Sequence, residues 1–316
     1  MRLSISRLWL YLALVLCHAN VAQAAEPPLQ FGLISTQSAA ELNALWSPIL
    51  QDLSSHIGKE TRPQNFGDYA GVVWSLRAGT TDLAWTGNKA AIEAVDRANA
   101  EVFAQIVDPQ GSDGYRSYLI VRAESGMASA EDVIAHAADL TFGNGDPNST
   151  SGNLVPGYFL FARKGLEPRS LFKRVFHASH EKNFLAVADG QADVATIASI
   201  TFERVCKAQP EKCARLRIVW QSPTIPNDPL IWRKDLPEEI KVRIRAFFAD
   251  YGSERAGKPR DRVVEERRRL ALVGAARFRA SDNGQLQPVR EIELYRERAR
   301  AEAQALPADT AKAETK

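Results

Sequence analysis

Residues 139–162 read DLTFGNGDPNSTSGNLVPGYFLFA. Leu140-Thr141-Phe142 predicts a short strand leaving a buried sheet, and Leu154, Tyr158, Phe159 and Phe161 recur at helical spacing. Ser149, Thr150 and Ser151 therefore occupy a strand-to-helix turn, where a hydroxyl residue ordinarily caps the helix. A cap needs one hydroxyl. Three in a row, shaped by Gly145, Pro147 and Gly152, suit a second task. A helix start presents free N–H groups and a partial positive charge, so added hydroxyl donors make a seat for an oxyanion.

The same strand–helix alternation continues on both sides. LQFGLIST from Leu29 predicts a strand, and residues 39–58 an amphipathic helix with Leu42, Leu45, Trp46, Ile49, Leu50 and Leu53 on one face. A strand over 62–65 leads to a helix over 70–78 capped by Asp68, then a strand over 83–85 and a helix after Asn88. EVFAQIV and YRSYLIVRA are further strands. Later come helices near 130–137, 152–164, 181–189, 200–207 and 237–251, and strands near 140–142, 174–176, 194–197, 216–220 and 230–232. Such alternation predicts an α/β protein with mostly parallel sheets. No internal repeat interrupts it. Residues 281–306 predict a charged C-terminal helix with a thin stripe of Val289, Ile292 and Tyr295, suited either to edge packing or to a homodimer contact. Residues 307–316, PADTAKAETK, predict a disordered tail.

The chain is 316 residues long, enough for about two domains. Its start joins Arg2 and Arg7 to an apolar run from Leu8 to Leu16 and then to Ala22-Gln23-Ala24. That order reads as a cleavable signal peptide over 1–24, too short in its apolar part to span a bilayer comfortably. Removing its two arginines from 40 basic residues leaves 38 against 38 acidic ones, so no basic field remains for nucleic acid or an anionic membrane. Any anion must be held by a local site. Cys206 and Cys213 are then the remaining cysteines; in an oxidising compartment they fit a loop-stapling disulfide better than a metal site.

Enzyme signatures are missing: no G-x-S-x-G elbow, H-E-x-x-H, phosphate loop or dinucleotide fingerprint occurs. His177 and His180 lie three apart, but no companion ligand at metal spacing accompanies them, and no metal or cofactor is expected. Polar turns stand out instead: Asp68-Tyr69, Thr86-Gly87-Asn88, Asp113-Gly114-Tyr115, Asn148–Ser151, Ser179-His180-Glu181 and Pro226-Asn227-Asp228-Pro229. Each alone has an ordinary structural use, such as a cap for His180 or a turn for Asp228. Together they could converge at the strand ends of an open sheet, where ligands bind.

Several of these stretches, in order, carry a resemblance. FGLISTQS, DYAGVVWSLRAGTTDLAWTGN, GSDGYRSYLIV, the 139–162 stretch, AVADGQADVAT and SPTIPNDPLIWRKDL resemble the phosphonate-binding proteins that serve ABC importers, over about Leu29 to Leu294. The resemblance implies a periplasmic, two-lobed Venus-flytrap fold of type II with two crossing strands at the hinge. It also implies a small phosphonate ligand, an ABC permease as partner, and no chemistry. The implied lobes are 25–118 plus 229–280, and 119–228. The resemblance places Ser149, Thr150, Ser151, Tyr69 and His180 on the phosphonate, Tyr115 in the wall, and Asp228 on a ligand amine. In one respect the chain departs: Ile200 stands where amine-binding members carry a second carboxylate, which puts 2-aminoethylphosphonate in question against an amine-free phosphonate, phosphite or phosphate. Thr86 stands where a tyrosine can occur. A secreted enzyme acting on a small phosphorylated compound is the competing class, without a nucleophile–base pair to support it.

Overall fold

The computed structural model describes residues 27–305 apart from 110 and 113, so the expected leader 1–24 and tail 307–316 lie outside the described residues. Strands β1 (Leu29–Leu33), β2 (Thr61–Asn65), β3 (Leu83–Trp85) and β4 (Ala100–Val107) precede a short β5 (Gly114–Tyr115). Then follow β6 (Ser117–Arg122), β7 (Thr141–Asn144), β8 (Arg174–His177), β9 (Val194–Ala198), β10 (Leu216–Gln221), β11 (Ile225–Pro226), β12 (Pro229–Arg233) and β13 (Arg277–Ala280). One sheet has the order β13-β4-β12-β3-β1-β2 and the other β10-β6-β9-β7-β8. The chain leaves the first sheet through β5 and returns through β11, and these two pair antiparallel where it crosses.

The sheets are mixed, which corrects the expectation of mostly parallel ones. Parallel pairing is confined to β1–β2, β1–β3, β7–β8 and β7–β9. The crossings are the reason. A strand that enters or re-enters a sheet from the other body is free of the right-handed crossover that enforces parallel pairing. Thus β6 runs against β9, and β12 slots between β3 and β4 against both.

Each sheet buries its own core. Helix Ala39–Ile57 opens with a capping box of Ser38 and Glu41 and buries Leu42, Trp46, Ile49, Leu50 and Leu53. Trp46 meets Phe31, and beyond them Phe103 stacks on Trp232 at 4.1 Å. Around the second sheet Phe142, Phe161 and Phe172 pack together, and Phe184 with Ile197 fills the other face. Cys206 and Cys213 are joined, stapling the end of helix Ser199–Ala208 to the short helix Pro210–Cys213.

Helix Arg260–Leu272 and β13 escaped the sequence pattern, as did shorter pieces such as the helices Pro168–Leu171 and Pro210–Cys213. Arginine and glutamate dominate RDRVVEERRRLAL, and only Val263, Glu266 and Leu270 are buried, too thin a stripe to read. The charged C-terminal helix spans Gln287–Ala305. It lies across both bodies. Lys89–Glu293 and Arg290–Asp96 tie it to helix Asn88–Arg97 beside the first sheet. Arg296 to Asn153 and Arg300 to Glu167 tie it to the second.

Candidate functional site: a sealed hydroxyl turn facing a buried carboxyl

The turn after β7 is pinched shut by two glycines. Gly145 N–H donates to Gly152 O at 2.9 Å, and a Cβ on Gly145 would sit 2.4 Å from the Gly152 Cα. A Cβ on Gly152 would meet Ser149 Oγ at 2.9 Å and His180 Cε1 at 3.1 Å, so no side chain fits at either position. Ser149 is the N-cap; its Oγ accepts from Gly152 N–H. The expected helix over 152–164 is a widened one, with π-type turns over Thr150–Leu154 and Gly157–Phe161. Widened turns of this kind are frequent at functional sites. Ser117 Oγ donates to Ser151 O and Thr196 Oγ1 to Gly152 O, which lock the turn onto β6 and β9.

His180, first residue of helix His180–Ala188, closes over this turn. Its Nδ1 accepts from Ala198 N–H, so Nε2 carries the ring proton and points between Ser149 Oγ at 3.4 Å and Ser151 Oγ at 3.5 Å. Burial and the nearby Arg204 charge push its pKa down to about 4, so the ring is neutral at physiological pH. It is a donor without a charge.

The other body reaches the same turn through two helix starts. Thr150 Oγ1 accepts from Lys89 N–H at 2.9 Å, at the start of helix Asn88–Arg97, whose own N-cap Gly87 has no side chain to offer. Asp146 Oδ2 accepts from Tyr69 N–H at 3.1 Å, at the start of helix Tyr69–Arg77. The turn therefore caps two helices across the cleft. Ser149 Oγ and Thr150 Oγ1 thus act as acceptors for backbone N–H groups, which leaves their hydroxyl protons available as donors. The phenols of Tyr69 and Tyr115 lie within hydrogen-bonding reach of Ser149 and Ser151, and burial drives both well above the usual tyrosine pKa, so both stay protonated.

These groups line an enclosed space of about 50 Å³. At ~10–15 Å³ for each water, that is room for roughly three to five waters or one small oxyanion with a short tail. Opposite the hydroxyls sits Asp228, whose pKa burial raises to about 7. Tyr115 and the Trp85 indole face its carboxyl and partly offset the burial. The indole contact is not a hydrogen bond of regular geometry, because Trp85 Nε1 and Asp228 Oδ1 both lack a partner among the protein atoms. Thr36 Oγ1 on the same wall is also unpartnered. A Cβ at Gly87 would lie 3.3 Å from Thr150 Oγ1, 3.9 Å from the Tyr69 ring and 4.0 Å from Asp228 Oδ1. Thus a single point at Gly87 touches both ends of the site.

All seven residues singled out from the sequence, Tyr69, Tyr115, Ser149, Thr150, Ser151, His180 and Asp228, line this one cavity. Ile200 lines it too. Thr86 does not: it is fully buried behind the wall, with its N–H on Pro229 O. Unforeseen polar or small members include Thr36, Trp85, Gly87, Thr201, Arg204 and Asn227. Of these, Gly87 and Asn227 lie in polar turns visible in the sequence. Among the described residues no group of three or more His, Cys, Asp or Glu could hold a metal ion.

Two bodies joined by two crossings, with one anion-shaped cavity walled by both, define a two-lobed ligand-binding protein of the type II periplasmic class. Residues 31–286 match the family of ABC transporter phosphonate periplasmic substrate-binding proteins, and the chain belongs to that family. It is 46% identical to the phosphonates-binding periplasmic protein of Escherichia coli K12 over 276 residues, 87% of this chain and 79% of that protein. The crystal structure of a binding-protein component of an ABC phosphonate transporter from Pseudomonas aeruginosa superposes with a TM-score of 0.84 at 46% identity, covering 89% of this chain and 91% of that one. PhnD1 of Prochlorococcus marinus, solved with methylphosphonate, shares the fold with a TM-score of 0.74 at 21% identity, covering 86% and 98%.

Proposed function

We propose that the mature protein captures a small phosphonate in the periplasm and delivers it to an ABC permease, without turnover. The phosphonate oxygens sit on the hydroxyls and N–H groups of Ser149, Thr150 and Ser151, with Tyr69 and the neutral His180 Nε2–H completing the donor set. Tyr115 forms the wall and Asp228 faces the other end of the ligand. One observation carries this reading: Ser149 Oγ and Thr150 Oγ1 each already accept from a backbone N–H, which leaves their hydroxyl protons to donate to an anion. Residues 25–118 with 229–280, and 119–228, are the bodies that close on the ligand about the β5–β11 crossing. Export follows cleavage near Ala24, which N-terminal sequencing of periplasmic protein tests.

The aliphatic Ile200 on the cavity wall and the raised pKa of Asp228, which leaves its carboxyl only partly ionised near neutral pH, favour a second reading, an amine-free oxyanion such as methylphosphonate, phosphite or phosphate. Calorimetric titration with 2-aminoethylphosphonate, methylphosphonate, phosphite, phosphate and sulfate separates the two. Tight binding of the aminated ligand alone selects the first; comparable or tighter binding of amine-free anions selects the second; silence across the panel sinks both. A homodimer through the outer face of the C-terminal helix, where Leu294 and Tyr295 are exposed, is the assembly to test by light scattering.

A further inference from the structure

The cavity wall contains one cationic side chain among the described residues, Arg204. It stands one turn after Ile200 on helix Ser199–Ala208, so both side chains address the same space. Arg204 also borders a wider groove of about 880 Å³ outside the cavity. Leu45, Tyr115, Ile200 and Gly274 are the other residues common to both spaces. They form the wall shared by the two spaces. Gly274 and Ile200 approach closely there, since a Cβ on Gly274 would lie 3.5 Å from Ile200 Cγ2.

Arg204 is poorly compensated for a buried cation. Its hydrogen bond goes to a neutral amide, Gln37 Oε1, across the cleft. The carboxyls of Glu41 and Glu181 act on it only at longer range, and burial outweighs them, holding its guanidinium below the usual arginine range. Glu181 is raised by burial and by Glu41, while Glu41 is lowered, so the pair keeps a negative charge on that side but makes no direct ion pair with Arg204. A planar guanidinium left with a neutral partner is matched by a carboxylate, which it can take through two parallel hydrogen bonds. The carboxylate missing at Ile200 would have repelled such a group.

Resting on the phosphonate reading of the same cavity, we propose that the site accepts phosphonates carrying a carboxylate on their short alkyl chain, and that Arg204 is the residue that takes it. The phosphonate stays on the 149–151 turn while the chain runs along Ile200 toward Arg204 on the same cavity wall. Arg204 thus sets specificity at the far end of the ligand.

Calorimetry with methylphosphonate, propylphosphonate and 3-phosphonopropionate tests this on the mature protein and on Arg204→Gln, with thermal melts to confirm folding. The expected result is that 3-phosphonopropionate binds the native protein at least ~ten-fold more tightly than propylphosphonate, its uncharged counterpart of similar length. In Arg204→Gln that ratio falls to about one, and Arg204→Lys retains part of it, as a single charge without the fork should. Equal binding of the two ligands by the native protein, or a preference that survives in Arg204→Gln, overturns the proposal. If methylphosphonate and propylphosphonate also fail to bind, the underlying phosphonate reading fails with it, which sets the two failures apart.

Discussion

At the 149–151 end of the cavity, Ser149 Oγ accepts from Gly152 N–H, Thr150 Oγ1 from Lys89 N–H, and His180 is fixed by Ala198 N–H. At the Asp228 end, Asp228 Oδ1, Trp85 Nε1 and Thr36 Oγ1 are buried with no protein partner. The first wall is built in advance. Its donors need no rearrangement when an anion arrives, so it recognises the tetrahedral group shared by every ligand of the class. The second wall carries polar atoms whose burial without a partner costs about 1–3 kcal/mol each, a deficit that a suitable ligand would remove. Discrimination among ligands therefore belongs to the second wall, because a ligand that leaves those atoms unpaired gains nothing from them.

The largest effect should come from breaking the prepared wall. Replacing both Ser149 and Thr150 by alanine removes two hydrogen bonds to a charged group, worth ~1.5–3 kcal/mol each, and with them ~10²–10⁴-fold in affinity. The loss should be the same for aminated and amine-free phosphonates. A loss confined to one ligand type, or none, would mean that the anion sits elsewhere.

Asp228→Asn tests the other wall and should show two separate effects. Because its folded pKa of about 7 stands above the ordinary carboxyl value, Asp228 contributes stability that is present below pH ~4 and lost as the pH rises through 7. In the ligand-free protein the variant should therefore melt like the native chain at pH 4 and be more stable at pH 8, by up to ~4 kcal/mol if the whole shift is expressed. Binding should change in the opposite sense for an amine. An ammonium beside Asp228 favours the ionised carboxyl, so 2-aminoethylphosphonate should release a proton on binding below pH 7 and bind more tightly as the pH rises. Asp228→Asn should abolish that release and lose ~1.5–3 kcal/mol for the amine while sparing methylphosphonate. Calorimetry in buffers of different ionisation enthalpy counts the proton. No proton release with a tightly bound amine would place the ammonium away from Asp228.

The contrast also explains what could be read from the sequence. The prepared wall is local: three hydroxyls, two glycines and a strand before them lie within residues 140–152, and their pattern states their purpose. The second wall is assembled from Thr36, Trp85, Arg204 and Asp228, which come from four distant segments. Asp228 stands out as part of a polar turn and gains a role only through the family resemblance, and nothing beside Thr36, Trp85 or Arg204 marks it. Strand directions were misjudged for a related reason. Local alternation of strand and helix suggests parallel pairing, but β6 and β12 take their direction from where the chain crosses between sheets.

A smaller effect should come from the disulfide, which touches only the second wall. Cys206 and Cys213 close a loop at the end of the helix that carries Ile200 and Arg204. For so short a loop, chain entropy gives the cross-link ~2–2.5 kcal/mol. A Cys206→Ser/Cys213→Ser variant should lose about that much in denaturant unfolding. Its affinity for methylphosphonate, held by the prepared wall, should change less than its preference among longer ligands. Equal weakening toward every ligand would show that the two walls are not mechanically separate.

The least effect is expected behind the cavity, where the C-terminal helix joins the two walls from outside. It grips helix Asn88–Arg97, which donates to Thr150, and the 150–167 segment that begins at the same residue. The grip is uneven. Lys89–Glu293 and Arg296–Asn153 are largely buried, whereas Arg300–Glu167 is well exposed on both sides. An exposed pair is worth ~0.2–1 kcal/mol, so Arg300→Ala should weaken ligand binding by no more than ~1.5–5-fold, provided the pair persists only when the lobes are together. Solution scattering of the ligand-free variant should then show a more expanded average shape. Unchanged affinity together with unchanged scattering would mean that the helix travels with one lobe, and that the two walls are held together by contacts inside the cleft, those of Thr150, Asp146 and Arg204 among them, and by the ligand.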